Sequence, residues 1–117
     1  MSSLALYGLK TCDTTRAARK WLDGRGAAYV FRDVREEPLD LATLERFVRA
    51  LGWERALNRK STTFRALDEA DQSGLDETKA TSLMLAHPAL MKRPLLEGEG
   101  KLLIGFDAKR WGEAFAR

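Results

Sequence analysis

The chain has 117 residues, 44% of them hydrophobic and 32% charged, a composition typical of a packed globular domain and not of a disordered segment. Twenty basic and 17 acidic residues leave a net charge of +3, which is too small by itself to indicate nucleic-acid binding. An excess of this size fits a small anionic ligand if several basic side chains converge on one site.

The sequence contains one cysteine, Cys12, which excludes an internal disulfide and any zinc site built on several thiolates. Cys12 is therefore either a buried small side chain or a reactive thiol that needs an external partner. The N-terminus has no basic region, and its apolar run from Leu4 to Tyr7 is too short for a signal peptide or a membrane span. We expect a cytoplasmic protein that has no membrane contact and no metal site.

The first thirty residues predict a strand, a helix and a second strand. The run from Leu4 to Tyr7 is continuously apolar, as in a buried strand, and Ala28 to Phe31 predicts a second strand parallel to it. A helix is expected to begin within two residues of Cys12. Its apolar face consists of four residues: Ala17, Ala18, Trp21 and Leu22.

A helical region follows, over approximately residues 39–90. Asp40 is predicted to be the N-cap of a helix that ends near Gly52. The apolar positions of that helix are Leu41, Leu44, Phe47, Val48 and Leu51. Weaker helical turns are predicted over 54–57 and 63–70, and a further helix over 76–86.

The last 25 residues predict a hairpin and a helix. Pro94 opens the strand Leu95–Glu97, a glycine-containing turn follows, and Leu102–Ile104 forms the return strand. Asp107 is expected to cap the final helix, with Phe106 and Trp111 in contact across its first turn. The chain shows no repeat and no linker.

The turn that contains Cys12 is the predicted place for chemistry, because ligands of open α/β sheets bind where a strand ends and a helix begins. Unpaired backbone N–H groups and the helix dipole favour an anion there, and therefore favour thiolate over thiol. The Thr14 and Thr15 hydroxyls, together with Lys10 and Arg16, are expected to strengthen this field.

Three segments in the same order resemble the arsenate reductase (ArsC) and Spx family, and within it the small subgroup called YffB: LYGLKTCDTTRAARKWL, LNRKSTTFRAL and HPALMKRPLLEGEGKLLIGF. The resemblance spans nearly the whole chain. It implies an α/β protein with a thioredoxin-like, glutaredoxin-type fold, a mixed four-stranded sheet and a helical insertion over approximately 39–90. It also implies one domain over residues 1–117 and a cis peptide bond before Pro94.

The resemblance also implies a set of catalytic residues. Cys12 matches the nucleophile of the arsenate reductases, and Arg59 and Arg93 match two arginines that bind the oxyanion and stabilise the transition state. The third arginine of those enzymes is absent, since Gly105-Phe106-Asp107 stands in its place, and their histidine after the first strand is Gly8 here. The Cys-x-x-Cys switch common in Spx is also absent, because Thr15 occupies its second position.

These features lead to three hypotheses. The first is a thiol reductase in which the Cys12 thiolate attacks a disulfide, a glutathione mixed disulfide, or a small oxidised or oxyanionic substrate. External glutathione or a glutaredoxin then resolves the intermediate. Glutathione is then a co-substrate, and no cofactor is tightly bound. The expected binding residues are Lys10, Thr11, Thr14, Thr15, Arg16, Lys60 and Pro94.

The second hypothesis is an Spx-like adaptor that binds the C-terminal domain of the RNA polymerase α subunit. Gly52 and the corner at Gly105 resemble Spx more than the arsenate reductases. The third hypothesis is arsenate reduction. In each case we expect a monomer that does not bind nucleic acid directly.

Overall fold

The fold is built on a four-stranded mixed sheet, seen in a computed structural model that describes residues 4–115. The strands are β1 (Leu4–Gly8), β2 (Tyr29–Asp33), β3 (Leu95–Gly98) and β4 (Lys101–Ile104), in the order β2-β1-β3-β4. β1 and β2 are parallel, whereas β3 runs antiparallel to both β1 and β4. The predicted strands, the parallel pair and the hairpin are therefore confirmed.

The described chain also contains seven α-helices and one 3₁₀ turn. They are α1 (Asp13–Gly24), α2 (Leu41–Leu51), α3 (Trp53–Ala56), α4 (Thr62–Arg65), α5 (Glu69–Gln72), α6 (Glu77–Ala86), the 3₁₀ turn Pro88–Leu90, and α7 (Ala108–Ala114). The chain forms two compact units. One contains the sheet, α1 and α7; the other is the helical segment Arg35–Lys92. The single-domain reading stays a prediction.

The core of the sheet unit lies between the strands and the helices α1 and α7. Leu6 is fully buried at the centre of the sheet, where it pairs in register with Phe31 on β2 and Leu96 on β3. Trp111 is also fully buried, and its ring meets that of Phe106 edge-on with centroids 5.0 Å apart. The contact predicted across the first turn of the last helix is confirmed.

The helical unit has its own buried residues, chiefly on α2, α6 and the turns between them. Asp40 caps α2 as predicted, since its carboxylate accepts a 2.8 Å hydrogen bond from the Thr43 amide. The last residue of the helix is Leu51. Gly52 follows it with a φ of 87°, a backbone conformation that favours glycine. Leu41 was predicted to be on the buried face, but it is 48% exposed. It is the first residue of the helix, and the buried face begins one turn later.

Two other local predictions need correction. On α1 the buried residues are Thr15, Ala18 and Leu22, whereas Ala17 is exposed. The buried face therefore includes Thr15, which was not part of the predicted apolar face. The turn predicted over 63–70 is two separate helices, α4 and α5, because the backbone leaves the helical path over residues 66–68.

The helices of the described residues are too short or too polar to cross a membrane.

Candidate active site

Cys12 lies at the junction between the first strand and the first helix. It is the N-cap of α1, with extended backbone angles, and its carbonyl accepts the first helical hydrogen bond from the Arg16 amide at 3.0 Å. Its own amide donates to the Leu9 carbonyl at 3.0 Å, which closes the turn. The thiol therefore lies at the positive end of the helix. Because the residue is only partly buried, the thiol has access to solvent.

Several donors converge on the thiol. Burial by itself raises the pKa of Cys12, but hydrogen bonds from the Thr15 hydroxyl and amide, the Arg93 side chain and the Thr14 amide outweigh it. The pKa of Cys12 is therefore held below the ordinary value of a cysteine. A thiolate is the nucleophilic form, so the site favours attack. The predicted activation is explained by side-chain donors as well as by the helix terminus.

The Thr15 side chain links the thiol to the end of β1. Its Oγ1 atom is close to the Leu9 amide, which donates to it at 3.4 Å, and its hydroxyl donates to Cys12. Thr15 is fully buried. The contact with the thiol agrees with the expectation that the Thr15 hydroxyl strengthens the field there. The expected binding of a ligand by Thr15 stays a prediction.

The turn before Cys12 is held by its backbone. The Lys10 amide donates to the Asp33 carboxylate at 2.9 Å, and the Lys10 carbonyl accepts from Arg16 Nε at 2.8 Å. Asp33, at the end of β2, is buried. Sequence reasoning missed Asp33, because only the parallel pairing of β1 and β2 brings it to this turn. The Arg16 guanidinium also lies 3.8 Å from the Asp13 carboxylate, so it contacts both the turn and the first residue of α1.

Arg93 reaches the thiol from the start of β3. The peptide bond between Arg93 and Pro94 is cis, which confirms that prediction. Pro94 is fully buried, and its carbonyl accepts a 2.8 Å hydrogen bond from the Gly105 amide. The chain is therefore fixed immediately after Arg93. The structure brings together four of the predicted residues: Cys12, Thr14, Thr15 and Arg93.

Arg59 and Lys60 lie in the other compact unit, in an exposed turn between α3 and α4. The Arg59 guanidinium lies 5.6 Å from the ring centroid of Trp53, a cation–π contact. The Lys60 amide donates to the Asn58 side chain at 3.2 Å. Their role toward the thiol stays a prediction. Thr11, in the turn before Cys12, is exposed.

The corner that replaces the third arginine is built around Gly105, whose φ is 71°. Its carbonyl accepts hydrogen bonds from the Arg110 guanidinium at 2.8 Å and from Trp111 Nε1 at 2.9 Å. Arg110 also donates to the Ile104 carbonyl at 2.7 Å. Arg110 therefore caps backbone carbonyls of this corner.

No group of three or more His, Cys, Asp or Glu side chains between residues 4 and 115 is arranged to hold a metal ion.

The class of protein follows from the sheet order and from the cysteine that caps the first helix. These are features of a thioredoxin-like protein with one cysteine. A solved glutaredoxin from Archaeoglobus fulgidus has the same fold, with a TM-score of 0.50 over the whole chain and 89% of its own, at 11% identity. That likeness concerns the fold alone.

The chain belongs to the ArsC family, whose model matches residues 7–114. A solved protein named YffB is 46% identical, with a TM-score of 0.92 and coverage of 97% of this chain and 99% of its own. An arsenate reductase (ArsC) related protein from Brucella melitensis is 45% identical, with a TM-score of 0.77 and coverage of 98% and 96%. The global transcriptional regulator Spx 2 of Oceanobacillus iheyensis is 31% identical over 86% of this chain and 75% of its own length. The resemblance to the ArsC and Spx family, and to its YffB subgroup, is therefore confirmed.

The lowered pKa of Cys12 predicts a pH-dependent stability. The folded pKa lies below the unfolded value of about 8.5. The thiolate therefore contributes stability that is complete above the unfolded value and is lost as the pH falls through the folded pKa. Urea unfolding of the protein and of Cys12→Ser should show a stability difference that grows in favour of the parent as the pH rises across this window. A pH-independent difference would contradict the assignment.

Proposed function

We propose that this protein is a glutathione-dependent thiol reductase with Cys12 as its single nucleophile. The observation that carries the proposal is the set of hydrogen-bond donors on the thiol, from Thr14, Thr15 and Arg93, at the N-terminus of α1. Membership of the ArsC family and the similarity to an arsenate reductase related protein support thiol chemistry. Because Cys12 is the one cysteine of the sequence, an external thiol must resolve the intermediate.

In the proposed reaction the Cys12 thiolate attacks the glutathione sulfur of a mixed disulfide. The bond between glutathione and the substrate breaks, and the substrate leaves as a thiolate that takes up a proton. A second glutathione, as its thiolate, then attacks the glutathionyl sulfur on Cys12. Oxidised glutathione leaves, and the Cys12 thiolate is regenerated. In sum, the mixed disulfide and one glutathione thiol give one substrate thiol and one molecule of oxidised glutathione: the sulfur of the second glutathione is oxidised, and the substrate sulfur is reduced.

Glutathione carries two carboxylates, and the proposed site supplies cationic groups for them. Arg93 lies beside the thiol, where it binds the ligand and stabilises negative charge that moves between sulfur atoms. Lys10 is exposed in the turn before Cys12. We propose Arg59 and Lys60 as further anion-binding residues, on the basis of the resemblance. The backbone beside Pro94 is proposed to pair with the peptide of glutathione.

Replacing the nucleophile should abolish the reaction. Cys12→Ser is expected to have no glutathione-linked disulfide reduction, because a serine hydroxyl forms no mixed disulfide. The assay follows the oxidation of NADPH by glutathione reductase with a glutathionylated peptide as substrate. The alkylation of Cys12 in the parent protein should also be slowed by glutathione. Full activity in Cys12→Ser would exclude this function.

Arg93 should act mainly on ligand binding. Arg93→Ala is expected to raise KM for glutathione about tenfold, because one charge-assisted hydrogen bond contributes about 1.5–3 kcal/mol. Arg25→Ala is a matched control, since Arg25 follows α1 about 20 Å along the helix from Cys12 and donates to the Phe115 carbonyl. Equal KM values for the parent and Arg93→Ala would remove Arg93 from the proposed site.

Arsenate reduction ranks below thiol reduction. The resemblance expects a third arginine where this chain has Gly105, and the nearest arginine in the last helix, Arg110, is bonded to backbone carbonyls. Only the cysteine and two arginines of that expected set are present in the sequence.

A second candidate function is a regulatory adaptor for the RNA polymerase α subunit, favoured by the 31% identity to a transcriptional regulator Spx. Gly52, one basis of that resemblance, has a conformational explanation here, because its φ is 87°. A pull-down with the C-terminal domain of the α subunit tests this candidate, with and without oxidant. Binding would support an adaptor, whereas the thiol reductase proposal expects none.

A further inference from the structure

Gly8, the last residue of β1, is a glycine whose backbone does not require one. Gly52 and Gly105 have φ values of 87° and 71°, a region that favours glycine, but Gly8 has no positive φ. Its carbonyl accepts a hydrogen bond from the Val34 amide at 2.9 Å, as an ordinary strand residue does. The reason for glycine at this position must therefore be the space around it.

That space is filled by Thr15. A Cβ atom at position 8 would lie 2.5 Å from Thr15 Oγ1 and 2.6 Å from its Cγ2, far inside normal contact distances. Rotation of the threonine does not relieve the collision, because every staggered rotamer leaves a heavy atom in at least one of the two positions. Thr15 is fully buried on α1, so it has no open space to move into. Position 8 and position 15 are thus coupled sterically.

We propose that Gly8 is a positioning residue for Cys12 that acts through Thr15. The absent side chain at position 8 leaves the volume in which the Thr15 hydroxyl lies between the Leu9 amide and the thiol. The Leu9 amide donates to Thr15 Oγ1 at 3.4 Å, which leaves the hydroxyl proton to point at the sulfur. This inference deepens the proposed function and rests on the thiolate as its reactive group.

The charged groups near the thiol are separate from this pair. Arg93 hydrogen bonds with Cys12 from the start of β3, Asp13 and Arg16 lie in the first turn of α1, and Lys10 lies in the preceding turn with its amide bonded to Asp33. A substitution at Gly8 or Thr15 removes none of these charged groups. A change in the pH profile of the thiol in those variants therefore reports on the hydroxyl.

The test measures the rate of Cys12 alkylation against pH, together with urea unfolding. Thr15→Ala should slow alkylation about tenfold near about pH 6, because the thiolate loses one donor, whereas Thr15→Ser should keep most of the parent rate. Gly8→Ala should slow alkylation to a similar extent and lower the free energy of unfolding. Gly24→Ala is the matched control, since a Cβ there meets nothing within 4 Å, and it should leave the alkylation profile unchanged.

The double variant Gly8→Ala/Thr15→Ala distinguishes positioning from general damage. Thr15→Ala removes both colliding atoms, so the double variant should be more stable than the sum of the two single losses predicts. Its thiol should still react slowly, because the hydroxyl is gone. If Gly8→Ala does not fold, the double variant still tests the steric coupling. It should fold, because the colliding Thr15 atoms are absent.

The inference is overturned if folded Gly8→Ala keeps the parent pH profile, or if the stability losses simply add. Alkylation needs no glutathione, so the result is separable from the proposed function. An activated parent thiol that transfers no glutathione would contradict the reductase and leave the Gly8 assignment standing.

Discussion

The hydrogen bond from the Thr15 hydroxyl to Cys12 depends on two segments, the end of β1 and the first turn of α1. Gly8, the last residue of β1, leaves the space for the hydroxyl, and the amide of the following residue, Leu9, donates to Oγ1. Threonine has a low helix propensity, because its branched side chain loses rotamer freedom in a helix. Here its buried position gives the thiol a donor whose geometry is fixed by packing, and the chemistry follows from that geometry.

Several interactions lower the pKa of Cys12, and their relative sizes indicate which of them contribute most. A helix terminus stabilises a nearby charge by about 0.3–1 kcal/mol, whereas a hydrogen bond to a charged group contributes about 1.5–3 kcal/mol. Partial exposure reduces these values, but the order remains. The side-chain donors Thr15 and Arg93 therefore outweigh the dipole of α1. Activation of the thiol is a property of the assembled turn and of the segment that contains Arg93, and not of the helix alone.

Sequence reasoning found most features that depend on short-range patterns. Asp40 and Asp107 cap their helices as expected, each accepting from the amide three residues later, and the contact between Phe106 and Trp111 follows from their spacing. The predicted position of Cys12 at the start of α1 is also correct. These features are determined by residues within one or two helical turns of each other.

The features that sequence reasoning missed depend on contacts between distant segments. Asp33 reaches the Lys10 amide across 23 residues, and this follows only from the register of β1 and β2. Thr15 was expected to act on the thiol, but its complete burial was not, because it depends on the packing of α1 against the end of β1. Family resemblance supplied Arg93 and the cis bond before Pro94, which no local pattern indicates.

The central claim is that Cys12 forms and releases a mixed disulfide with glutathione. Mass spectrometry of the intact protein tests it directly, after incubation with a glutathionylated peptide and then with reduced glutathione. The account predicts that one glutathionyl group appears on Cys12 in the first step and is removed in the second. A protein that stays unmodified, or an adduct that reduced glutathione does not remove, would contradict it.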